Sequence, residues 1–518
     1  MFKKKKPGLV MGALLNWTSM GLNVVLTFAS TPIVIHKLGM EAFGMWALIQ
    51  SFTGYYGLVN LGLGSALQQF ISRDLARNEH DGLQRTVGTA IGFFTITGAV
   101  VLLAASAFSQ VAADFFEVSK NADAFSHVIL LCALSVIIEF YGALYSTLIN
   151  GKERFDLSNG LSMARQIVQT SGVLISVSIW PTIYSMALSV LLTSIAGQIA
   201  TVIVVKRLHP NLVLLGKGFY WPRLREMLHF GTSTVLITIS NILRLRLGNA
   251  VIAKTTGLEA VTLFSIATSI IQQMNSKVAS SLSVLNPRFT QLHTQGHTAQ
   301  LQKLFRTAVF FSSCLACFFG TIIMIAGKNF ILLWVGPKYL VTADILHILA
   351  LGYVIALSQN PSWNLMFALN RHHTMARIVV AETACTVALG IWLSSKFGAI
   401  GFAYATASMM IIVKVFIHIP YAANVAGLKI RNYAETMLYP FVAFGGIYAI
   451  SRIGPIHTLL EKEGVIPLII TIIVSAGLYG IFILLTCYRQ DYFPEFLVKR
   501  LEKVTRLFRK RAPAPLSP

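Results

Sequence analysis

Charge is what this chain has least of. Only 12% of its 518 residues are Asp, Glu, Lys or Arg, where soluble domains carry about a quarter. Acidic residues are the scarcer sign, 20 against 42 basic. A chain so poor in hydrated groups cannot cover a water-facing surface, which excludes a soluble globular domain. Cysteine is sparse too: Cys132, Cys314, Cys317, Cys385 and Cys487 all lie in or at the ends of apolar stretches, which excludes a disulfide framework. Cys314 and Cys317 have redox or zinc spacing, but no second ligand pair accompanies them, so core packing is the better reading. No small-residue cleavage site closes the apolar run after MFKKKKPGLV, and another run follows directly after Lys37. The opening is therefore expected to be a first membrane helix that stays, not a signal peptide.

What the chain does have is apolar length: 55% hydrophobic residues and a mean hydropathy of +0.67. A helix crossing the hydrocarbon core needs about 20 largely apolar residues. Fourteen stretches qualify, near residues 12–35, 42–67, 87–109, 125–149, 161–180, 183–205, 230–253, 259–285, 304–326, 343–367, 377–395, 400–422, 436–453 and 465–487. The expected fold class is an all-α polytopic membrane protein. With the amino terminus inside, 30 of the 42 Lys and Arg fall on inward segments, 8 on outward loops and 4 (Arg244, Arg246, Lys277, Lys414) within spans. That bias follows the positive-inside rule and puts both termini in the cytoplasm. The net charge of +22 thus mostly records topology and predicts no nucleic-acid partner.

One phrase occurs twice. HKLGMEAFGMWALIQSF (36–52) is echoed by AKTTGLEAVTLFSIATS (253–269), with Gly39-Met40-Glu41-Ala42 answering Gly257-Leu258-Glu259-Ala260. Leu83-Gln84-Arg85-Thr86-Val87 and Leu304-Phe305-Arg306-Thr307-Ala308 repeat at nearly the same offset, as do Leu148-Ile149-Asn150 and Ala368-Leu369-Asn370. The offset spans six helices, an even number, so both halves enter the membrane in the same direction. The expectation is two six-helix lobes as parallel repeats, residues 1–215 and 216–430, with substrate handled at their seam. Two extra helices (431–490) and a basic amphipathic tail (491–518) follow. The repeat pairs Glu139 in the fourth span with Gln359 in the tenth. Gln359-Asn360-Pro361 interrupts that tenth span, and a broken polar helix at membrane depth is tolerated only where it is buried in protein or lines a wet cavity.

PIVIHKLGMEAFGMWALIQSFTGYYGLVNLGLGSALQQFISR resembles the start of the polysaccharide exporters of the multidrug/oligosaccharidyl-lipid/polysaccharide superfamily, which run "P…LG…EYG…L…GLG…" over helices one and two. TGLEAVTLFSIA, the LWVGPKY of 333–339 and GAIGFAYATASM are similar to that family as well, so the resemblance covers essentially the whole chain. Within the superfamily the chain most resembles the Wzx-type flippases of surface polysaccharide (O-antigen) synthesis, which move a polyprenyl-pyrophosphate-linked oligosaccharide from the cytoplasmic to the periplasmic leaflet. The resemblance implies a V-shaped bundle alternating between inward-open and outward-open forms around a cationic cavity. It also implies a bacterial cytoplasmic (inner) membrane location, membrane lipids as surroundings, and a polysaccharide polymerase with its chain-length machinery as partners. From the related lipid II flippases, an acidic residue in the second-helix phrase carries over to Glu41. The arginines those flippases use in helices one and eight have no counterpart: the first span has no arginine and the eighth offers Lys277.

A pyrophosphate crossing a low-dielectric medium requires fixed cations on a water-lined path. Arg244 and Arg246 are the leading candidates, although residues two apart on a helix point about 200° apart and cannot both face one cavity. Lys277 and Lys414 could join them, with Arg165 and Arg288 at an inner mouth. An interhelical ion pair or a snorkelling side chain would explain each equally well. Among carboxylates, Glu139 and Glu382 lie within spans and suit coupling or charge pairing. Glu41 and Glu259 head their helices, where the helix dipole alone is a sufficient reason. Gln359 and Asn360 would add polar cavity wall. His372-His373 has no further ligands nearby, Gly62-Leu63-Gly64 follows no strand, and neither a metal nor a cofactor is expected. Two amphipathic stretches, 218–230 and 493–511 (Leu497, Leu501, Val504 and Phe508 on one stripe), suit interfacial helices on the anionic inner leaflet. Two other functions compete with the flippase. A drug/cation antiporter of the same superfamily would rely on buried acids. A membrane-embedded polymerase or ligase would need a sizeable outward loop, and the longest here is about 15 residues.

Overall fold

The computed structural model describes residues 9–56, 63–118, 122–213, 217–282, 285–369, 371–454 and 463–490, and all regular structure among them is helical. In chain order the helices are α1 (Leu9–Leu38), α2 (Met40–Tyr56), α3 (Leu63–Ala76), α4 (His80–Phe115), α5 (Ala122–Gly151) and α6 (Phe155–Ile179). Next come α7 (Ile183–Leu208), α8 (Trp221–Thr256), α9 (Leu258–Leu282), α10 (Leu285–Thr294), α11 (Thr298–Trp334) and α12 (Val341–Ser358). The last are α13 (Asn360–Ala368), α14 (His372–Val413), α15 (Ile419–Val425), α16 (Ile430–Ser451) and α17 (Val465–Gln490). With no water to satisfy backbone groups, runs this apolar must bond internally, and a helix does so within one segment. Helix lies in each of the fourteen expected stretches, and among the described residues eight spans are long and apolar enough to cross a membrane. The chain is a multi-pass membrane protein. Its tail, 491–518, lies outside the described residues.

Contacts divide the chain into two compact units. The first comprises residues 1–273, 334–349 and 372–409; the second comprises 274–333, 350–371 and 410–518.

In the first unit the repeated phrase has a local cause. Gly39 and Gly257 both have positive φ, 83° and 99°, the left-handed turn that ends a helix. The Gly39 amide donates to the Ile35 carbonyl at 2.9 Å, and that of Gly257 to Ile252 at 3.1 Å. Glu41 and Glu259 then stand in the first turns of α2 and α9, on the positive end of each helix dipole. The phrase therefore closes one helix and opens the next within two residues. The two heads touch: Thr262 Oγ1 donates to the Met40 carbonyl at 2.5 Å. A Cβ on Gly44 would stand 1.9 Å from the Leu258 carbonyl oxygen, so only glycine permits this approach. Gly44, Ala47, Ser51 and Gly54 form one small-residue stripe of the kind that lets membrane helices close up. Against it, Asn249 of α8 donates to Ser51 Oγ at 2.8 Å.

Proline explains two further contacts. Pro32 inside α1 removes the donor that would serve the Phe28 carbonyl one turn back. Trp334 Nε1 supplies it instead at 2.7 Å, its ring 5.0 Å from that of Phe28. The LWVGPKY phrase thus docks on the PIVIHKLG phrase, with the Tyr339 ring tilted against that of His36, centroids 6.5 Å apart. In the second unit Pro361 frees the Leu357 carbonyl by the same logic, and Ser312 Oγ donates to it at 2.7 Å.

The eleventh and twelfth stretches form two helices within α14, parted at Gly398, whose φ of 60° is not helical, and the second continues into a π-turn over Lys414–His418. One expectation changes. The amphipathic stretch 218–230 is not a separate interfacial helix, because α8 starts at Trp221 and runs on into the span. Its Arg223 turns inward, 13% exposed, onto the fully buried Asp74. Arg223 Nε donates to Thr86 Oγ1 at 3.0 Å, and that hydroxyl donates to Asp74 Oδ2 at 2.8 Å. The guanidiniums of Arg73 and Arg223 each lie 4.6 Å from the Phe70 ring. Burying a carboxylate without such partners would cost several kcal/mol, so the linker sequence is recruited to this clamp.

Candidate substrate cavity

Six helices of the first unit, α1, α2, α5, α6, α7 and α8, surround a polar cavity of about 520 Å³. Polar side chains reach it from inward faces: Gln50 and Thr53 on α2 and Ser135 and Glu139 on α5 each fall one helical turn apart, and the neighbours Gln169 and Thr170 flank the cavity on α6. The hydroxyls are bonded back to their own helices, Thr53 to Ile49 at 3.2 Å and Ser135 to Leu131 at 2.9 Å. Their lone pairs remain available to a guest. Phe43 and Trp46 add aromatic surface on the α2 side.

Two guanidiniums and one carboxylate set the electrostatics. Arg165 Nη2 donates to Glu139 Oε1 at 2.7 Å and to Ser194 Oγ at 3.2 Å. The stem of Arg165 lies against Gly197, whose missing Cβ would approach it within 3.1 Å. Arg246 lies over α2 in the same way: a Cβ on Gly54 would fall 2.9 Å from its Nε. Its Nη1 donates to the Gln50 carbonyl at 3.4 Å. Glu139 is 49% exposed and Arg165 29%, so the pair stays hydrated. The charged side chains that line the cavity are Glu139 and Arg246, and Arg165 braces Glu139 from behind.

The other expected site residues stand elsewhere. The side chain of Arg244 lies outside the described residues. Glu41 is exposed at the head of α2, and Glu382 is buried in α14 of the first unit. In the second unit Lys277 is half-buried on α9, and Arg288 is exposed on α10, donating to Gln291 Oε1 at 2.6 Å. Gln359 is fully buried at the α12–α13 break; its Oε1 bonds His418 Nδ1, and its Nε2 donates to the Lys414 carbonyl at 3.3 Å. Lys414 and His418 are buried in the π-turn, and Asn360 is half-buried beside the break. The structure therefore brings Glu139 and Arg246 to one cavity, with Arg165 bonded to Glu139 behind its lining. Sequence reasoning missed Trp46, Gln50, Thr53 and Gln169; the available signal was polar residues one turn apart inside apolar spans.

Fold and cavity together define a polytopic helical membrane protein with a chamber of mixed polar and aromatic walls inside the bundle of its first unit. Comparison with known proteins narrows the class. Residues 37–344 match the family model described as polysaccharide biosynthesis protein, and the chain belongs to that family. The membrane protein EpsK of Bacillus subtilis is 21% identical over 499 residues, 94% of this chain and 97% of the relative. A Shigella flexneri protein named as an O-antigen transporter is 20% identical over 400 residues, covering 74% and 91%. The solved lipid II flippase MurJ, in an inward closed conformation, superposes with TM-score 0.71 at 13% identity, covering 93% of this chain and 99% of that one. The likeness establishes the fold, and the resemblance read from the sequence motifs holds.

Proposed function

We propose that the chain is a flippase that carries polyprenyl-pyrophosphate-linked oligosaccharide across the bacterial cytoplasmic membrane by alternating access. Both termini are cytoplasmic in this reading, and the glycan is handed to a polysaccharide polymerase and its chain-length machinery. The activities named among the relatives above are transport, which fits a carrier better than a polymerase or ligase. The observation that carries the reading is the chamber itself. Arg246 offers a forked donor to phosphate oxygens, while the Trp46 ring, amides and hydroxyls suit sugar rings. A drug/cation antiporter would need a carboxylate open to its substrate, and Glu139 is committed to Arg165 at 2.7 Å.

Arg246→Ala tests the reading in cells. Surface glycan is expected to disappear at unchanged protein abundance, and Arg246→Lys to keep part of it because a point charge remains without the fork. Wild-type glycan from Arg246→Ala at equal expression would remove this cavity from the path.

A further inference from the structure

The stretch between α7 and α8 joins the two sequence repeats, and a flexible joint there would hang free in water. Instead it lies along one face of α4, where Gln84, Gly88, Thr89 and Gly92 fall together. Gln84 Nε2 donates to the Asn211 carbonyl at 3.4 Å, and the Gln84 carbonyl accepts from the Lys217 amide at 3.3 Å. Gly218, with φ 85°, seats its carbonyl oxygen where a Cβ on Gly88 would come within 2.4 Å of it. The Tyr220 amide donates to Thr89 Oγ1 at 3.2 Å, and the Phe219 ring fills the space that a Cβ on Gly92 would need, 2.7 Å away. Two glycines one turn apart thus leave a slot in α4, and the linker occupies it.

A contact that opens at every turnover would be exposed and held by charge alone. Lys217 with Asp81, 56% and 75% exposed, is of that kind. The rest is not. Just beyond the slot Arg223 satisfies the fully buried Asp74 of α3, whose carboxylate would be left charged in the interior if the linker came away. The Arg85 guanidinium, 5.2 Å from the Tyr220 ring, holds the middle of the same stretch.

Resting on the flippase reading above, with its alternating access, we infer that residues 217–223 are a permanent strap. They stay fastened to α3 and α4 throughout transport. The first turns of α8 therefore move with the first unit, in which contacts place them, although the repeat in the sequence assigns them to the second lobe. The bodies that move are set by the strap and not by the repeat.

The test locks the strap in place. Gly92→Cys is combined with Phe219→Cys in the full-length chain, its native cysteines replaced by alanine. A Cβ on Gly92 would stand 3.3 Å from that of Phe219, near the roughly 3.5–4.5 Å of a disulfide. The protein is placed in vesicles of phosphatidylethanolamine and phosphatidylglycerol holding a fluorescent polyprenyl-pyrophosphate oligosaccharide, and flipping is followed with an impermeant quencher. Once mass spectrometry shows complete oxidation, the rate should stay within about twofold of that after dithiothreitol, about 0.4 kcal/mol in the barrier. A larger fall that dithiothreitol reverses, or a pair that does not oxidise, would overturn the strap. Hydrogen exchange on the unsubstituted chain needs neither cysteines nor flipping. The Lys217 and Tyr220 amides should exchange no faster with the lipid-linked oligosaccharide present than without it, and faster exchange overturns the proposal as well. Loss of flipping confined to the oxidised chain discards the strap alone. Absence of flipping from the wild-type chain discards the flippase reading, and hydrogen exchange then decides on the strap.

Discussion

The Arg165 guanidinium holds the Glu139 carboxylate at 2.7 Å, and that one contact separates two kinds of carrier. If the chamber serves an anionic head, Glu139→Gln leaves both guanidiniums in place, and glycan export should survive at reduced rate. Arg165→Leu should do more harm, because it removes a cation and leaves a lone carboxylate in the chamber. An organic-cation carrier would show the reverse order, with export of a fluorescent cationic dye lost in Glu139→Gln. At another position a single side chain makes the protein sensitive to acid. Glu117 has a left-handed backbone, φ 56°, where glycine would be less strained, and its carboxylate binds Lys254 Nζ at 2.9 Å. The hydrogen bond from Lys254, and then its charge, hold the Glu117 carboxyl below its ordinary value. A depressed pKa means the pair contributes at pH above the ordinary carboxylate value and is lost as pH falls through the lowered one. Labelling of a cysteine at position 115, whose native ring lies 5.3 Å from the Lys254 ammonium, should therefore rise only in acid below the ordinary carboxylate range, and the rise should vanish in Glu117→Gln.

Helices in this protein meet through small residues and freed carbonyls, and two tests belong to that scale. Gly44→Val would force a Cβ to where the Leu258 carbonyl now stands 1.9 Å away, parting the heads of α2 and α9. The variant should remain in the membrane yet fail to export glycan, and a disulfide between cysteines at 40 and 262, expected to form in the Gly44 background, should not form in the Gly44→Val chain. The Asp74–Arg223 clamp has a different signature. Arg223→Ala strands a buried carboxylate and should cost about 3–5 kcal/mol of stability, whereas Asp74→Leu with Arg223→Met should cost far less. Thermal unfolding in detergent reads both. Much of this scale was legible in the chain: apolar length located the helices, and the doubled Gly-x-Glu-Ala phrase marked two equivalent helix junctions. What the sequence hid depends on partners distant along it. Arg223 reads as a basic interfacial residue until Asp74, 149 positions away, is seen beneath it. No local pattern announces the π-turn at Lys414–His418, and Trp46 and Gln50 could equally have faced lipid.

For the whole molecule, six helices of the first unit converge on one chamber that combines fixed positive charge with sugar-compatible walls, and the family to which the chain belongs is one of polysaccharide biosynthesis. Sequence reasoning reached the superfamily through motif order, and reached the chamber only in part, through Glu139 and Arg246. The aromatic and amide walls depend on helix rotation, which periodicity in uniformly apolar spans does not set. The central claim is movement of a lipid-linked glycan across a bilayer, and it can be measured without a cell. Purified protein is reconstituted into vesicles bearing a fluorescent polyprenyl-pyrophosphate oligosaccharide in both leaflets, and an impermeant quencher is added outside. The account predicts that the protected inner-leaflet fraction becomes quenchable with the wild-type chain and stays protected with Arg246→Ala. A protected fraction that persists with the folded wild-type chain, or that is lost equally with Arg246→Ala, would contradict it.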